Sequence, residues 1–189
     1  MKCALCEKKD CETGKDCTAI KEKAKAELGK NLKSIKISAH LEAKYYMKLT
    51  RLEELILYAK DMEYKKVGIA FCIGLESEAE QIHKILSKHF DVHSVCCKVC
   101  GIDKSDFDLE RTDEKDDIAC NPIGQAMILN EAKTDMNIIL GLCMGHDILF
   151  TKYSKAPVTT LAVKDRVLAH NPLGVIYSGY YRNRNRILR

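Results

Sequence analysis

From residue 66 onward, short apolar runs alternate with segments whose apolar residues recur every three or four positions. Val67–Phe71, Val92–Cys97, Met136–Leu142 and Val158–Val163 have the length and uncharged character of strands buried on both faces. Between them, Ser77 to Glu80 fits a capping box that opens a helix through about His89, with Ile82, Ile85 and Leu86 inward. Asn121 before Pro122 sets an N-cap ahead of a helix-starting proline, predicting a helix through about Ala132. Ile148–Tyr153 predicts a short helix, and Asn171-Pro172 a further helix or turn. Gly101–Ala119 is charged and aperiodic, which predicts a surface excursion, and the basic tail from Tyr180 to Arg186 is expected to be loosely held.

Strand, helix, strand in succession predicts right-handed crossovers, a mostly parallel sheet and helices on both faces. The expected fold class is therefore α/β, a Rossmann-like three-layer sandwich. No G-x-G-x-x-G follows the first strand and no Walker A lysine motif is present, so neither nucleotide fingerprint applies.

The first part of the chain has a different pattern. Residues 18–62 predict a helical lead-in, with a stripe through Tyr45, Leu49, Leu52, Ile56 and Ala59, preceded by Ala39, Ala43 and Tyr46. Thr50 to Glu53 fits a capping box, so a break is expected near Thr50. Residues 1–17 are polar and too short to bury a core, yet they carry Cys3, Cys6, Cys11 and Cys17 in C-x2-C-x4-C-x5-C. Four thiolates on one metal centre would staple such a segment. The expected division is 1–17 as a four-cysteine metal knuckle and 18–189 as helical lead-in plus α/β domain.

Composition narrows the function classes. Among 189 residues, 31 Lys+Arg against 27 Asp+Glu leaves +4, neither strongly basic nor strongly acidic. There is no Trp and aromatics make up 6%, which argues against an aromatic stacking platform. No apolar leader follows Met1 and no uncharged stretch reaches membrane-spanning length, so a cytoplasmic protein without a membrane role is expected. Ten cysteines in a reducing compartment point to metal ligands, catalytic thiols or small core residues rather than disulfides.

In a parallel sheet, loops after the strands' carboxyl ends meet at one edge, where ligands bind. Cys72 ends the first predicted strand, Cys97 the second with Cys100 beyond it, and Cys143 with His146 the third; Cys120 precedes a helix that starts from the same edge. Cys96, of opposite parity to Cys97, is expected in the core or under a helix. For Cys72 and Cys143 the competing reading is a small core residue. His146 and His170 stay open between ligand and hydrogen-bonded structural residue. His170-Asn171-Pro172-Leu173-Gly174 echoes Cys120-Asn121-Pro122-Ile123-Gly124, each placing a ligand-type side chain before an N-cap.

Three stretches carry a family resemblance: Cys120–Ala126, Gly141–Asp147, and Lys155–Leu161 with Val163–Arg166 and His170–Pro172. They are similar to the signature of a cysteine-rich family of uncharacterised, metal-binding proteins of bacteria and archaea. The resemblance spans nearly the whole chain and implies metal binding, without an activity or a particular metal.

All-thiolate sites suit zinc or iron–sulfur clusters. Cys3, Cys6, Cys11 and Cys17 form the expected metal set, able to close a zinc site or hold a [4Fe–4S] cluster. Cys72, Cys97, Cys100, Cys120 and Cys143, with His146, form the expected second site, and their number favours iron–sulfur over Zn2+. The leading expectation is a metal-binding protein with a redox or sulfur-handling role, working with a redox or sulfur-transfer partner protein. The alternative is a thiol enzyme with Cys120 or Cys143 as nucleophile. Nucleic-acid binding through Arg182, Arg184, Arg186 and Arg189 is disfavoured by the modest charge. Lys164, Asp165 and Arg166 are expected at the same edge, either gripping an anion or forming a solvated turn.

Overall fold

Strands β1 (Lys66–Phe71), β2 (Asp91–Cys96), β3 (Met136–Leu140) and β4 (Val158–Ala162) pair in the order β2-β1-β3-β4. Every pair is parallel, in a computed structural model that describes residues 1–184. The α/β sandwich is thus the fold of this chain. The chain leaves β1 toward β2 and then returns to place β3 on the other side of β1. The direction reverses between β1 and β3, and at such a switch point two loops part and leave a crevice.

Period-two alternation splits the core in two. Val67, Ile69, Met136, Ile138 and Leu140 face one side, with Leu55, Ala59, Ala79 and Leu86 from helices α3 (Arg51–Asp61) and α4 (Glu76–Leu86). Ala70, Val95 and Ile139 face the other, against Ala126, Leu129 and Phe150. These last come from α5 (Pro122–Glu131) and α6 (His146–Tyr153). Cys72 and Cys97 belong by parity to this second face.

Two compact units make up the chain, Met1–Lys48 and the part from Leu49 onward. In the first, α1 (Lys21–Lys30) and α2 (Leu32–Tyr45) follow two short 3-10 turns at Cys3–Leu5 and Asp10–Thr13. No side chain of residues 1–20 is buried.

The apolar stripe of the lead-in belongs to two different helices. Tyr45 ends α2, while Leu52, Ile56 and Ala59 lie in α3; Ala39, Ala43 and Tyr46 are exposed, and Leu41 is the buried position of α2. The break before α3 is where the pattern put it. The Thr50 hydroxyl accepts from the Glu53 N–H at 3.4 Å, and the Glu53 carboxylate accepts from the Thr50 N–H at 2.7 Å. Thr50→Ala is therefore expected to cost about 1 kcal/mol, read as a lower urea midpoint at unchanged m-value.

The capping box expected at Ser77 does not form. A 3-10 turn, Ile73–Leu75, carries the chain directly into α4 with Leu75 at the N-cap and no side-chain cap. The helix starts two residues earlier, with Leu75 buried in the core; Ala79 and Leu86 take the inner face, and Ile85 is exposed. The charged excursion is tied down by a bridge between Asp103 and Ile118 and by the Asp116 carboxylate, which holds Lys98 at 3.2 Å and also pairs with Lys104. Beyond β4, α7 (Gly174–Tyr177) and α8 (Gly179–Arg184) follow. Asn171 forms a turn through its carbonyl, which accepts from Gly174, so the likeness to the Asn121 cap is in sequence only. Arg186 and Arg189 lie outside the described residues.

Candidate thiol and metal site

Backbone hydrogen bonds of the sheet continue one residue past β1 and β2. The Cys72 N–H donates to Leu140 and the Cys97 N–H to Phe71, so both cysteines sit in register at the carboxyl edge on the α5 face. Gln125, fully buried on α5, donates through Nε2 to the carbonyls of Val95 at 2.7 Å and Phe71 at 3.1 Å. It pins the two strand ends just before the thiols; its Oε1 has no partner among the described residues. Asn121 closes the arrangement. Its N–H donates to the Cys97 carbonyl at 2.7 Å and its side chain accepts from Gly124 at 2.7 Å, which fixes Cys120 directly ahead of α5.

The result is three thiols in one place. Cys97 Sγ lies 3.9 Å from Cys120 Sγ and accepts from the Ile73 N–H at 3.3 Å, and Cys72 belongs to the same buried cluster. Cys72 and Cys97 are buried, whereas Cys120 is half-buried. The central thiol keeps its proton far above the ordinary thiol range, because it is hydrogen-bonded to Cys120 and Cys72 and is buried. The two flanking sulfurs carry the charge. The Cys97 hydrogen bond holds Cys72 at about 5, against the opposing effect of burial and with help from the Gly74 N–H and Lys164. The same thiol holds Cys120 at about 6, again against burial, aided by the charges of Lys98 and His146.

Cations complete the surroundings. Arg166 Nη2 donates to Cys143 Sγ at 3.3 Å, and its own proton is held more tightly by that sulfur and, at longer range, by Cys72 and Cys120. Burial alone would lower Lys98, but Cys120 and Asp116 outweigh it and raise it. Glycine at 141 keeps the edge open. Its φ is +66°, and a Cβ there would lie 1.9 Å from Leu75 Cδ1.

Of the sequence-derived second site, Cys72, Cys97 and Cys120 come together, with His146 within electrostatic range of Cys120. Cys143 is paired with Arg166 instead, three residues beyond β3. Cys100 stands exposed on a left-handed turn, φ 71°, with no hydrogen bond to the three. Cys96 is half-buried beside the same core. His170 is structural: its Nδ1 accepts from the Asp165 N–H at 3.1 Å. Lys164 and Arg166 stand at the thiols, while the Asp165 carboxylate accepts from the N–H groups of Val167 and Leu168. The parts that pattern reading missed are Lys98 and Gln125; a Gln inside an otherwise apolar helix face was the available signal for the latter.

Whether a metal fits depends on the donors. All ten cysteines are free. Among the described residues, no three His, Cys, Asp or Glu side chains are already arranged to hold a metal ion, and Cys3, Cys6, Cys11 and Cys17 are each exposed. The donor chemistry nonetheless suits a soft ion. Two thiolates on one tetrahedral ion with bonds of about 2.3 Å lie roughly 3.8 Å apart, close to the 3.9 Å between Cys97 and Cys120. In a cluster each thiolate has its own iron, which calls for a wider spread. Among the described residues no helix is long and apolar enough to cross a membrane.

Comparison with known proteins places the chain. An uncharacterized protein of Methanocaldococcus jannaschii is 63% identical over 185 residues, covering 96% of each chain. No solved structure matches. Residues 11–161, which take in the three converging thiols, Cys143 and the strands that carry them, match the family model described as a protein of unknown function (DUF1847), and the chain belongs to that family.

Proposed function

We propose that this chain is a cytoplasmic metal-binding thiol protein with a redox or sulfur-handling role. The chemistry belongs to Cys72, Cys97 and Cys120 at the sheet edge. A soft metal, zinc or an iron–sulfur cluster, belongs to Cys3, Cys6, Cys11 and Cys17. The observation that carries the reading is the convergence of Cys72, Cys97 and Cys120 at one sheet edge, with Cys97 Sγ 3.9 Å from Cys120 Sγ and the cations Lys164 and Arg166 beside them. One retained proton and two thiolates is an arrangement for giving electrons to a soft electrophile, with lysine, arginine and imidazole offsetting the charge. The amino-terminal segment supports the metal half of the reading. Its residues bury nothing, so a fixed conformation needs an added cross-link, and four thiolates supply one when they bind an ion. The partner on this reading is a protein that delivers or removes electrons or sulfur.

A second reading places an ion at the sheet edge as well, on the 3.9 Å pair with Cys72 and Cys143 as further donors. Metal analysis of anaerobically purified protein, with thiols mapped by alkylation before and after chelation, decides between the two. One metal centre per chain, protecting Cys3, Cys6, Cys11 and Cys17 while Cys120 alkylates freely, is the expected result. Protection of Cys120 that chelation removes selects the second reading. Metal-free folded protein with all ten thiols equally reactive overturns both.

A further inference from the structure

We infer that Cys120 and Cys97 form an attacking and resolving thiol pair for sulfane sulfur, taking the outer sulfur of a small anionic persulfide or polysulfide and releasing it as sulfide. The inference rests on the proposed thiol role of this edge and names its substrate class.

The two sulfurs differ in access in the way such a pair requires. Cys120 is half-buried and reachable from solvent, whereas Cys97 is 2% exposed and can meet an electrophile only after a neighbour has captured it. Their Sγ atoms are 3.9 Å apart, and the Asn121 N–H to Cys97 carbonyl bond ties the two backbones together. A bond between them therefore needs side-chain rotation rather than movement of the fold. The electrophile must be small, because the thiols lie among strand ends and the N-terminus of α5. Lys164 and Arg166 stand at the thiols, Arg166 Nη2 3.3 Å from Cys143 Sγ, and add cationic charge to that of Lys98, which is shared with Asp116. Such a rim draws in an anion, and low-molecular-weight persulfides and polysulfides are anionic at neutral pH. A neutral disulfide gains nothing from it.

The steps balance. The Cys120 thiolate attacks the outer sulfur of the persulfide in its protonated form, the anionic charge that steers it lying on the rest of the molecule; a sulfur–sulfur bond forms to Cys120, and the donor's sulfur–sulfur bond breaks to release the donor thiolate. Cys97 then gives up its proton to the outer sulfur and attacks the Cys120 sulfur as the thiolate; the Cys97–Cys120 disulfide forms as the sulfur–sulfur bond of the Cys120 persulfide breaks, and the outer sulfur leaves as hydrogen sulfide carrying that proton. Two thiols are oxidised to a disulfide by two electrons, and one sulfane sulfur is reduced to sulfide. An external dithiol restores the pair.

The test uses the full-length protein, reduced, freed of reductant and kept from oxygen, with glutathione persulfide as probe. Sulfide released per chain is measured together with peptide mapping of the product. One sulfide per chain, with a cross-link between the peptides carrying Cys97 and Cys120, is the expected result. In Cys97→Ser the release should fall at least tenfold, while Cys120 retains the mass of one added sulfur atom. The mapping of the unaltered protein stands even if that variant folds poorly. Sulfide release that persists in Cys120→Ser, or added sulfur found on Cys143 or Cys100 rather than Cys120, overturns the inference. Diamide separates the two levels of failure. If diamide forms the Cys97–Cys120 bond and the persulfide does not, the thiol role survives and the substrate class is wrong; if neither forms it, both are overturned.

Discussion

Gly68→Val is expected to leave little folded protein, and Gly68→Ala to lose about 4 kcal/mol of stability, a large share of the roughly 5–15 kcal/mol that holds a domain together. Gly68 lies in β1 where α5 crosses the sheet. A Cβ there would stand 2.1 Å from Asn137 Oδ1 and 2.8 Å from Leu129 Cδ1. Neither neighbour can yield cheaply. Asn137 is fully buried on β3, accepts from the Thr134 hydroxyl at 2.7 Å and donates to the Ser154 hydroxyl at 2.8 Å. Moving it strands a polar group in the core, at about 1–3 kcal/mol, on top of an overpacking cost of similar size. Urea unfolding of Gly68→Ala, Asn137→Ala and the double variant checks the cause. If the clash is with Asn137, the double variant loses clearly less than the sum of the singles, whereas strict additivity places the damage elsewhere. The consequence reaches the site. This packing seats α5, and the start of α5 carries Cys120, so a Gly68 variant that still folds should also show slower formation of a Cys97–Cys120 bond.

The readable part of this site was its parity. Once β1 and β2 are taken as neighbouring parallel strands, Cys72 and Cys97 each follow the last paired residue, so they share an edge and a face. Asn121-Pro122 then fixes where α5 begins and hence where Cys120 stands. These are local rules with strong signals, and they also located all four strands to within about two residues. The parts that were not readable depend on the paths of loops. Cys143 follows Gly141, whose left-handed backbone redirects the chain, and it emerges beside an arginine from the loop after β4. Cys100, three residues past Cys97, has a left-handed backbone of its own that leaves it in solvent. Spacing along the chain cannot distinguish a turn that doubles back from one that leads outward. Leu75 misled for another reason. A capping box is a weak local preference, and burying a leucine gains about 1.5–3 kcal/mol, so the helix began where packing demanded.

The division of charge among the three thiols gives the second large effect. Cys120 should alkylate with iodoacetamide along a pH profile whose inflection lies near 6; in Cys97→Ala, which removes the main cause of that low value, the inflection should move above pH 8. With the inflection at about 8.5, the thiolate fraction at pH 6 falls about 150-fold. The more basic sulfur is intrinsically more nucleophilic and recovers roughly tenfold, leaving a net loss of about tenfold or more. Peptide mapping follows Cys120 apart from the other thiols. An unchanged profile in the variant would show that Cys97 does not hold the charge there. Stability carries the same signature with a definite sign. Cys72 and Cys120 are depressed in the folded chain relative to an ordinary thiol near 9, so their contribution is full above that range and is lost as the pH falls through 6 and then 5. Cys97 is raised, so its contribution is present below the ordinary range and is lost as the pH climbs past it. The reduced protein should therefore gain resistance to urea from pH 5 toward 9 and turn over beyond. Cys97→Ala should flatten both limbs, because the proton that creates the two thiolates and the proton that resists removal are the same one.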